Sequence, residues 1–260
     1  LRIGVFQFSG SGDIDQNAKK ISDTIKDAAA KNIRLLVFQE CALCGYPPIE
    51  TPDVHLIDYE KTVACLSGIC DLAKQYKMYI AVGTVRTEGR QYNNSIQLIG
   101  ENGSFAGCYD KRALWGWDTD NYSRGENPGI FIIDGIRVGF RICYEVRFPE
   151  YFRELYAADV PLCFVSFCDV GSEDDPQRYN VIKSHLITRA VENTMTVVSV
   201  NSISHYQTAP TAVFDCDGEV LLEAPKNEET LLVYDFSIPE ITYFRQGRIV
   251  NSNRLTRKDK

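Results

Sequence analysis

Apolar and polar residues alternate from Arg2 to Phe8, the period of a half-buried strand. The period then changes. Ile14, Ala18, Ile21, Ile25, Ala28 and Ala29 recur at helical spacing, which predicts a helix over 14–32. A short apolar run predicts a buried strand at 34–39, and a loop rich in proline follows. Beyond it the pattern predicts a helix over 58–77 and strands at 78–87, 93–99 and 104–110. Residues 112–128 have little periodicity and read as a long ordered loop. Strands return at 130–133 and 136–142, then a helix at 149–158 and a strand at 161–167. A loop over 169–176 leads into a helix at 177–194. The final third reads as strands at 196–201, 211–215, 219–223 and 230–235, with Asp217-Gly218 as a hairpin turn.

Strands alternating with helices indicate an α/β protein, but the consecutive strands near 78–110 and 196–235 do not suit a purely parallel sheet. Two sheets packed face to face with helices outside, a four-layer α-β-β-α sandwich, accommodate both facts. The chain shows no close internal repeat, low-complexity tract or Pro/Gly linker, so 1–260 reads as a single domain. At this length one core can bury roughly 70–75% of the surface of the unfolded chain. The C-terminal stretch 236–260 reads as a tail. Its last sixteen residues hold six basic groups and one acidic, which suits either a solvated segment or one packing at a subunit interface.

Composition narrows the function classes. The chain carries 28 basic and 35 acidic side chains, a net charge of −7, and 44% of its residues are hydrophobic. An acidic balance argues against nucleic acid as a partner, because phosphate binding needs a basic field. No apolar run approaches the ~18–20 residues of a membrane span, and no secretory signal is in view. Nine cysteines, an odd number, stand partly inside apolar runs (Cys143, Cys163, Cys168), which fits a reducing cytoplasm better than a disulfide scaffold. Cys41 and Cys44 form a lone C-x-x-C, but Gly45-Tyr46-Pro47-Pro48 after it forbids the helix that a redox pair opens. With no second such pair and only three histidines, no metal or other cofactor is expected.

Three buried strands end in a reactive residue: Glu40, Lys111 and Cys143. Loops at strand ends are where α/β folds gather catalytic groups. The three types are complementary, since a thiolate attacks a carbonyl, a carboxylate moves protons and an ammonium stabilises an oxyanion. Singly, each has a structural reading as inert packing, a solvated strand end or a surface pair.

The surrounding residues are more specific. The segment from Leu36 to Pro48, with Gln39-Glu40 and Gly45-Tyr46-Pro47-Pro48, resembles the first signature of the nitrilase superfamily of carbon–nitrogen hydrolases. Tyr109-Asp110-Lys111-Arg112-Ala113-Leu114 is similar to its second, and the run from Val138 through Cys143-Tyr144-Glu145 to Glu150 to its third. Gln7, Asn17, Arg189-Ala190-Val191-Glu192-Asn193 and Asp215 to Val220 extend the resemblance over nearly the whole chain. It implies an α-β-β-α sandwich that usually dimerises, and a hydrolase for a small amide or carbamoyl compound, of the amidase or ω-amidase-like branch. Carried over, Cys143 is the nucleophile that forms a thioester, Glu40 the general base and Lys111 the oxyanion stabiliser. The backbone N–H of Tyr144 is a second oxyanion donor.

Two positions depart from the family pattern. Gln39 stands where proline usually precedes the base glutamate. The family's second glutamate, in the loop after the lysine, corresponds to Asp118, with Asp120 as the nearby alternative. Aspartate is one methylene shorter, roughly 1.5 Å of reach, and errors near 1 Å can cost ~10²-fold in rate.

Other catalysts fit less well. His55, His185 and His205 lie in no recognisable Cys–His signature, G-x-S-x-G is absent, and Gly10-Ser11-Gly12 lacks a phosphate-loop lysine. The rival readings are a catalytically silent interaction protein on the same fold and a nitrile-hydrolysing member. For substrate choice two residues pull opposite ways. Arg147, four residues beyond Cys143, suits a substrate carboxylate unless it pairs with Glu145 or Glu150. Asp169 suits a cationic amine group.

Overall fold

The computed structural model describes residues 1–256. Asp13, Asp58 and Asp175 cap three long helices by accepting bonds from first-turn N–H groups. These helices are α1 (Ile14–Ala30), α2 (Tyr59–Tyr76) and α5 (Pro176–Asn193), with α3 (Trp117–Asn121) and α4 (Pro149–Ala157) between the last two. The first sheet holds β1 (Arg2–Gln7), β2 (Leu35–Phe38), β3 (Tyr79–Glu88), β4 (Gln91–Ile99), β5 (Phe105–Asp110) and, late in the chain, β14 (Thr230–Asp235). Its order is β14-β1-β2-β3-β4-β5. The second sheet holds β6 (Ile130–Ile133), β7 (Ile136–Ile142), β8 (Leu162–Phe167), β10 (Thr196–Asn201), β12 (Ala212–Phe214) and β13 (Val220–Glu223), in the order β13-β12-β10-β8-β7-β6. A short antiparallel pair, β9 (Val170–Gly171) with β11 (Tyr206–Gln207), lies beside it in sequence.

Each sheet has a parallel centre and antiparallel margins. β1, β2 and β3 run parallel, as do β7, β8 and β10, while β4, β5, β14, β6, β12 and β13 pair antiparallel. The layers can be read from single strands. In β2, Leu35 and Val37 join the cluster with Val138, Phe140, Leu162 and Phe164 of the other sheet. Leu36 and Phe38 face the opposite way, onto Ile21 and Ile25 of α1. In β8, Cys163, Val165 and Phe167 pack against Phe152 of α4 and Leu186 of α5. Strands buried on both faces lose the polar half of their alternation, which is why β2 reads as an unbroken apolar run and β8 as one interrupted only by Ser166. The result is the α-β-β-α sandwich, and each fully buried Leu, Val or Phe contributes ~1.5–3 kcal/mol to it.

Three expectations need correction. The loop over 112–128 contains α3, five residues too short to show a helical period. The tail contains α6 (Tyr243–Thr256), a helix that docks on its own chain, with Arg245 and Arg248 paired to Asp217. Its apolar residues gather on no single face, so no amphipathic pattern marked it. The expectation for 257–260 lies outside the described residues. The β9–β11 pair was also unforeseen, each strand being two residues long.

Candidate active site

Glu40, Lys111 and Cys143 come from three strand ends and two sheets. β2 stops at Phe38, and Gln39 pins the crossing by exchanging hydrogen bonds with the backbone of Phe8, donating at 2.8 Å and accepting at 3.4 Å. This is what glutamine does in the place of proline. Glu40 follows, then Cys41 at φ 50°, a left-handed turn that β3 accommodates only because residue 83 is glycine. A Cβ on Gly83 would stand 2.1 Å from the Gln39 carbonyl oxygen. Lys111 follows β5 and is fixed by its own backbone, donating to Asn94 at 2.8 Å and accepting from Gly125 at 3.0 Å. Cys143 follows β7 and opens a short 3-10 turn to Arg147, at φ 46°. Such left-handed strain on a non-glycine residue costs ~1–3 kcal/mol and gathers at functional sites.

Lys111 Nζ donates to Glu40 Oε1 at 2.8 Å and to Asp118 Oδ2 at 2.7 Å, all three groups fully withdrawn from solvent. Asn94 Nδ2 and the Cys168 N–H complete the shell of Glu40 at 2.7 and 2.8 Å. Asp118 stands in the first turn of α3, and its second oxygen accepts from the Tyr46 hydroxyl at 2.6 Å. Asp120, the alternative, is exposed. The short helix thus carries the shorter carboxylate to the lysine.

Burial pushes the Glu40 carboxyl up, Lys111 opposes this, and Asp118 adds to it. For Lys111 burial acts downward, but Glu40, Cys143 and Asp118 outweigh it and hold the ammonium well above its ordinary value. Burial and the charge of Glu40 push the Cys143 thiol well up, more than Lys111 pulls it down. At neutral pH the cluster therefore holds a thiol, an ammonium and a base that binds protons more readily than a free carboxylate. Such a thiol needs its proton removed as it attacks.

Cys143, Lys111, Asp118 and Tyr46 line one cavity of about 180 Å³, together with Tyr144, Arg147, Cys168, Asp169 and Arg178. Tyr144 lies beneath Trp115, with ring centroids 6.0 Å apart. Its N–H falls in the first turn after Cys143, where amides have no partner within the helix. Arg147 makes no hydrogen bond or ion pair through its guanidinium among the described residues. Glu145, one of its expected partners, is fully engaged: it accepts from Tyr109 Oη, Ile142 N, Arg112 N and Ala113 N at 2.6–3.3 Å. Asp169 differs from its sequence reading as an anchor for a cation. Arg178 Nε and Nη2 take its two oxygens at 2.8 and 2.9 Å, and the Thr208 hydroxyl takes one of them as well. A carboxylate so paired offers no free charge.

Sequence reasoning missed Glu145, Tyr46, Asn94 and Arg178. For Glu145 a signal existed, since it stands two residues past the cysteine, within reach of the turn it braces. No group of three or more His, Cys, Asp or Glu suited to a metal ion occurs among the described residues, and no helix there is long and apolar enough to cross a membrane.

The carbon-nitrogen hydrolase family model matches residues 2–246. An (R)-stereoselective amidase of Pseudomonas sp. is 26% identical over 235 residues, spanning 88% of this chain and 82% of its own. A 2-oxoglutaramate amidase of Bacillus subtilis (strain 168) is 28% identical over 203 residues, 76% of this chain and 75% of its own. Among solved structures, an amidase of Nesterenkonia sp. AN1 superposes with a TM-score of 0.81 at 25% identity, covering 98% of this chain and 99% of its own. A variant of that amidase carries the acetamide moiety of fluoroacetamide covalently on its active-site cysteine.

Proposed function

Because this chain belongs to the carbon–nitrogen hydrolase family and is an amidase-like hydrolase of the nitrilase superfamily, we propose that it cleaves a small linear amide through a thioester on Cys143. The observation that carries this reading is the bridge of Lys111 between Glu40 and Asp118 in the cavity that Cys143 lines. As the Cys143 sulfur attacks the amide carbon, the thiol proton passes to Glu40 and the carbonyl π pair moves to oxygen. The Lys111 ammonium and the Tyr144 N–H stabilise that oxyanion. Collapse breaks the C–N bond, Glu40 protonates the departing nitrogen, and ammonia or an amine leaves. Glu40 then takes a proton from water, whose oxygen attacks the thioester; the C–S bond breaks, Glu40 returns that proton to the Cys143 sulfur, and the acid is released. Asp118, tied to Tyr46, holds Lys111 in position throughout.

Arg147, unpaired at the cavity wall, is the group that binds a substrate carboxylate. Ammonia release from short amides, with a mass increment trapped on the enzyme, tests the scheme. Cys143→Ala should lower turnover on the order of 10⁴-fold or more and abolish the adduct. A variant that keeps its turnover would remove Cys143 from the reaction.

We further read the protein as a cytoplasmic homodimer. All nine cysteines are free thiols. Ile238, Ile241, Tyr243 and Phe244 expose 63–88% of their surface in and before α6, which suits packing against a second copy. Sedimentation of wild type against Phe244→Ser tests this, and a monomeric wild type refutes it.

A further inference from the structure

The cavity above Cys143 is electrically divided. Lys111 and Asp118 line its buried wall, and Lys111 also holds Glu40, so two carboxylates there meet one ammonium. Two guanidiniums, Arg147 and Arg178, and one carboxylate, Asp169, line the same cavity. Side-chain exposure is 0–3% for Glu40, Lys111 and Asp118, 6% for Asp169 and 49% for Arg178, so Arg178 marks the open side.

Arg178 is a fixed donor, its charge balanced by Asp169. Asp175 caps α5 and accepts from the Arg178 N–H at 2.9 Å, while Pro176 opens the helix, so the residue is anchored in the first turn. Its Nε and Nη2 edge is held by Asp169, itself buried. Asn201 in turn accepts from the Asp169 N–H at 2.9 Å and donates to its carbonyl at 2.8 Å. The remaining nitrogen, Nη1, has no partner among the described residues. A guanidinium held along one edge keeps its other donors ordered for an anion at little entropic cost.

We propose that Arg178, positioned by Asp169, is a specificity-determining residue: with Arg147 it forms a cationic rim that takes the carboxylate end of an amide substrate and turns its amide end toward Cys143. This deepens the amidase reading and rests on it. The inner pair of carboxylates repels an acid group, so an amide bearing a carboxylate enters in one orientation only. The same polarity favours departure of the product, because hydrolysis creates a second carboxylate beside Glu40 and Asp118. A cavity of about 180 Å³ suits a short chain between the two ends.

The experiment compares ammonia release from succinamate with that from the neutral pentanamide, in wild type, Arg178→Gln and Arg178→Lys. Wild type should prefer succinamate. In Arg178→Gln the ratio of kcat/KM for the two substrates should fall by about tenfold or more, chiefly through KM, and Arg178→Lys should fall between. Salt should raise the wild-type KM for succinamate and leave that for pentanamide unmoved, since screening acts on the charged substrate alone. If Arg178→Gln fails to fold, Arg178→Lys decides the matter by the same ratio of kcat/KM. Equal losses on both substrates, or a wild type indifferent to the carboxylate, overturn the rim while leaving the amidase reading intact. A wild type that releases ammonia from neither substrate or from any other short amide overturns both.

Discussion

Asp118→Asn separates a working carboxylate from a structural one. The substitution keeps the size of the side chain and an oxygen for the Tyr46 hydroxyl, but removes one of the two charges on Lys111. Breaking a buried ion pair costs ~3–5 kcal/mol when the partner is left uncompensated. Lys111 still has Glu40 at 2.8 Å, so about 3 kcal/mol is expected in stability. If the same interaction steadies the ammonium against the oxyanion, turnover falls by a comparable ~10²-fold. The pH profile gives the sharper test. Asp118 raises the pKa of Glu40 and also that of Lys111, so its loss lowers both. The acid limb of kcat/KM, where Glu40 must be ionised, should move to lower pH. The alkaline limb, where Lys111 must stay protonated, should move the same way. The assay is initial ammonia release from butyramide across both limbs, beside a urea denaturation curve for each variant. Asp120→Ala, on an exposed residue, should change stability by no more than about 0.5 kcal/mol and leave both limbs in place. An Asp118→Asn enzyme within twofold of wild type, or limbs that stay fixed or move to higher pH, would refute the reasoning. So would an Asp120→Ala enzyme with the greater loss.

Three further outcomes follow from single contacts. Glu145→Gln turns an amide NH₂ toward donors that now share four bonds to a carboxylate, and should destabilise by about 3 kcal/mol or more in urea; a loss below about 1 kcal/mol would show that the brace is dispensable. Gly83→Ala puts a methyl 2.1 Å from the Gln39 carbonyl and 2.6 Å from the Cys41 nitrogen, both backbone, so about 1–3 kcal/mol of stability should be lost along with turnover. Unchanged thermal unfolding would mean that the β2 end yields freely. Arg147→Lys keeps the charge and loses the fork, so KM should rise more for acidic than for neutral amides. Equal rises would make Arg147 a structural residue.

The periodicity of the chain determined most of the elements to within one or two residues, because β2, β8 and the faces of α1 are selected by burial, and burial acts on every residue of an element at once. It also determined that Glu40, Lys111 and Cys143 each end a strand, and the motifs around them pointed to the family. Two classes of feature escaped it. Elements too short or too evenly polar to show a period, α3, β9, β11 and α6, are held by contacts with other segments: Asp118 by Lys111, α6 by Asp217. The groups that complete the cavity escaped as well. Tyr46 reaches Asp118 across 72 positions of sequence, Asn94 reaches Glu40 across 54, and Thr208 reaches Asp169 across 39. A local pattern records which face of an element is buried, and carries no information about which polar group from a distant element will be buried against it. That Lys111 sits between two carboxylates, that Asp169 is neutralised and that Arg147 is not, were decided only when two sheets brought their strand ends to one cavity, where a polar group withdrawn from water must find its partner.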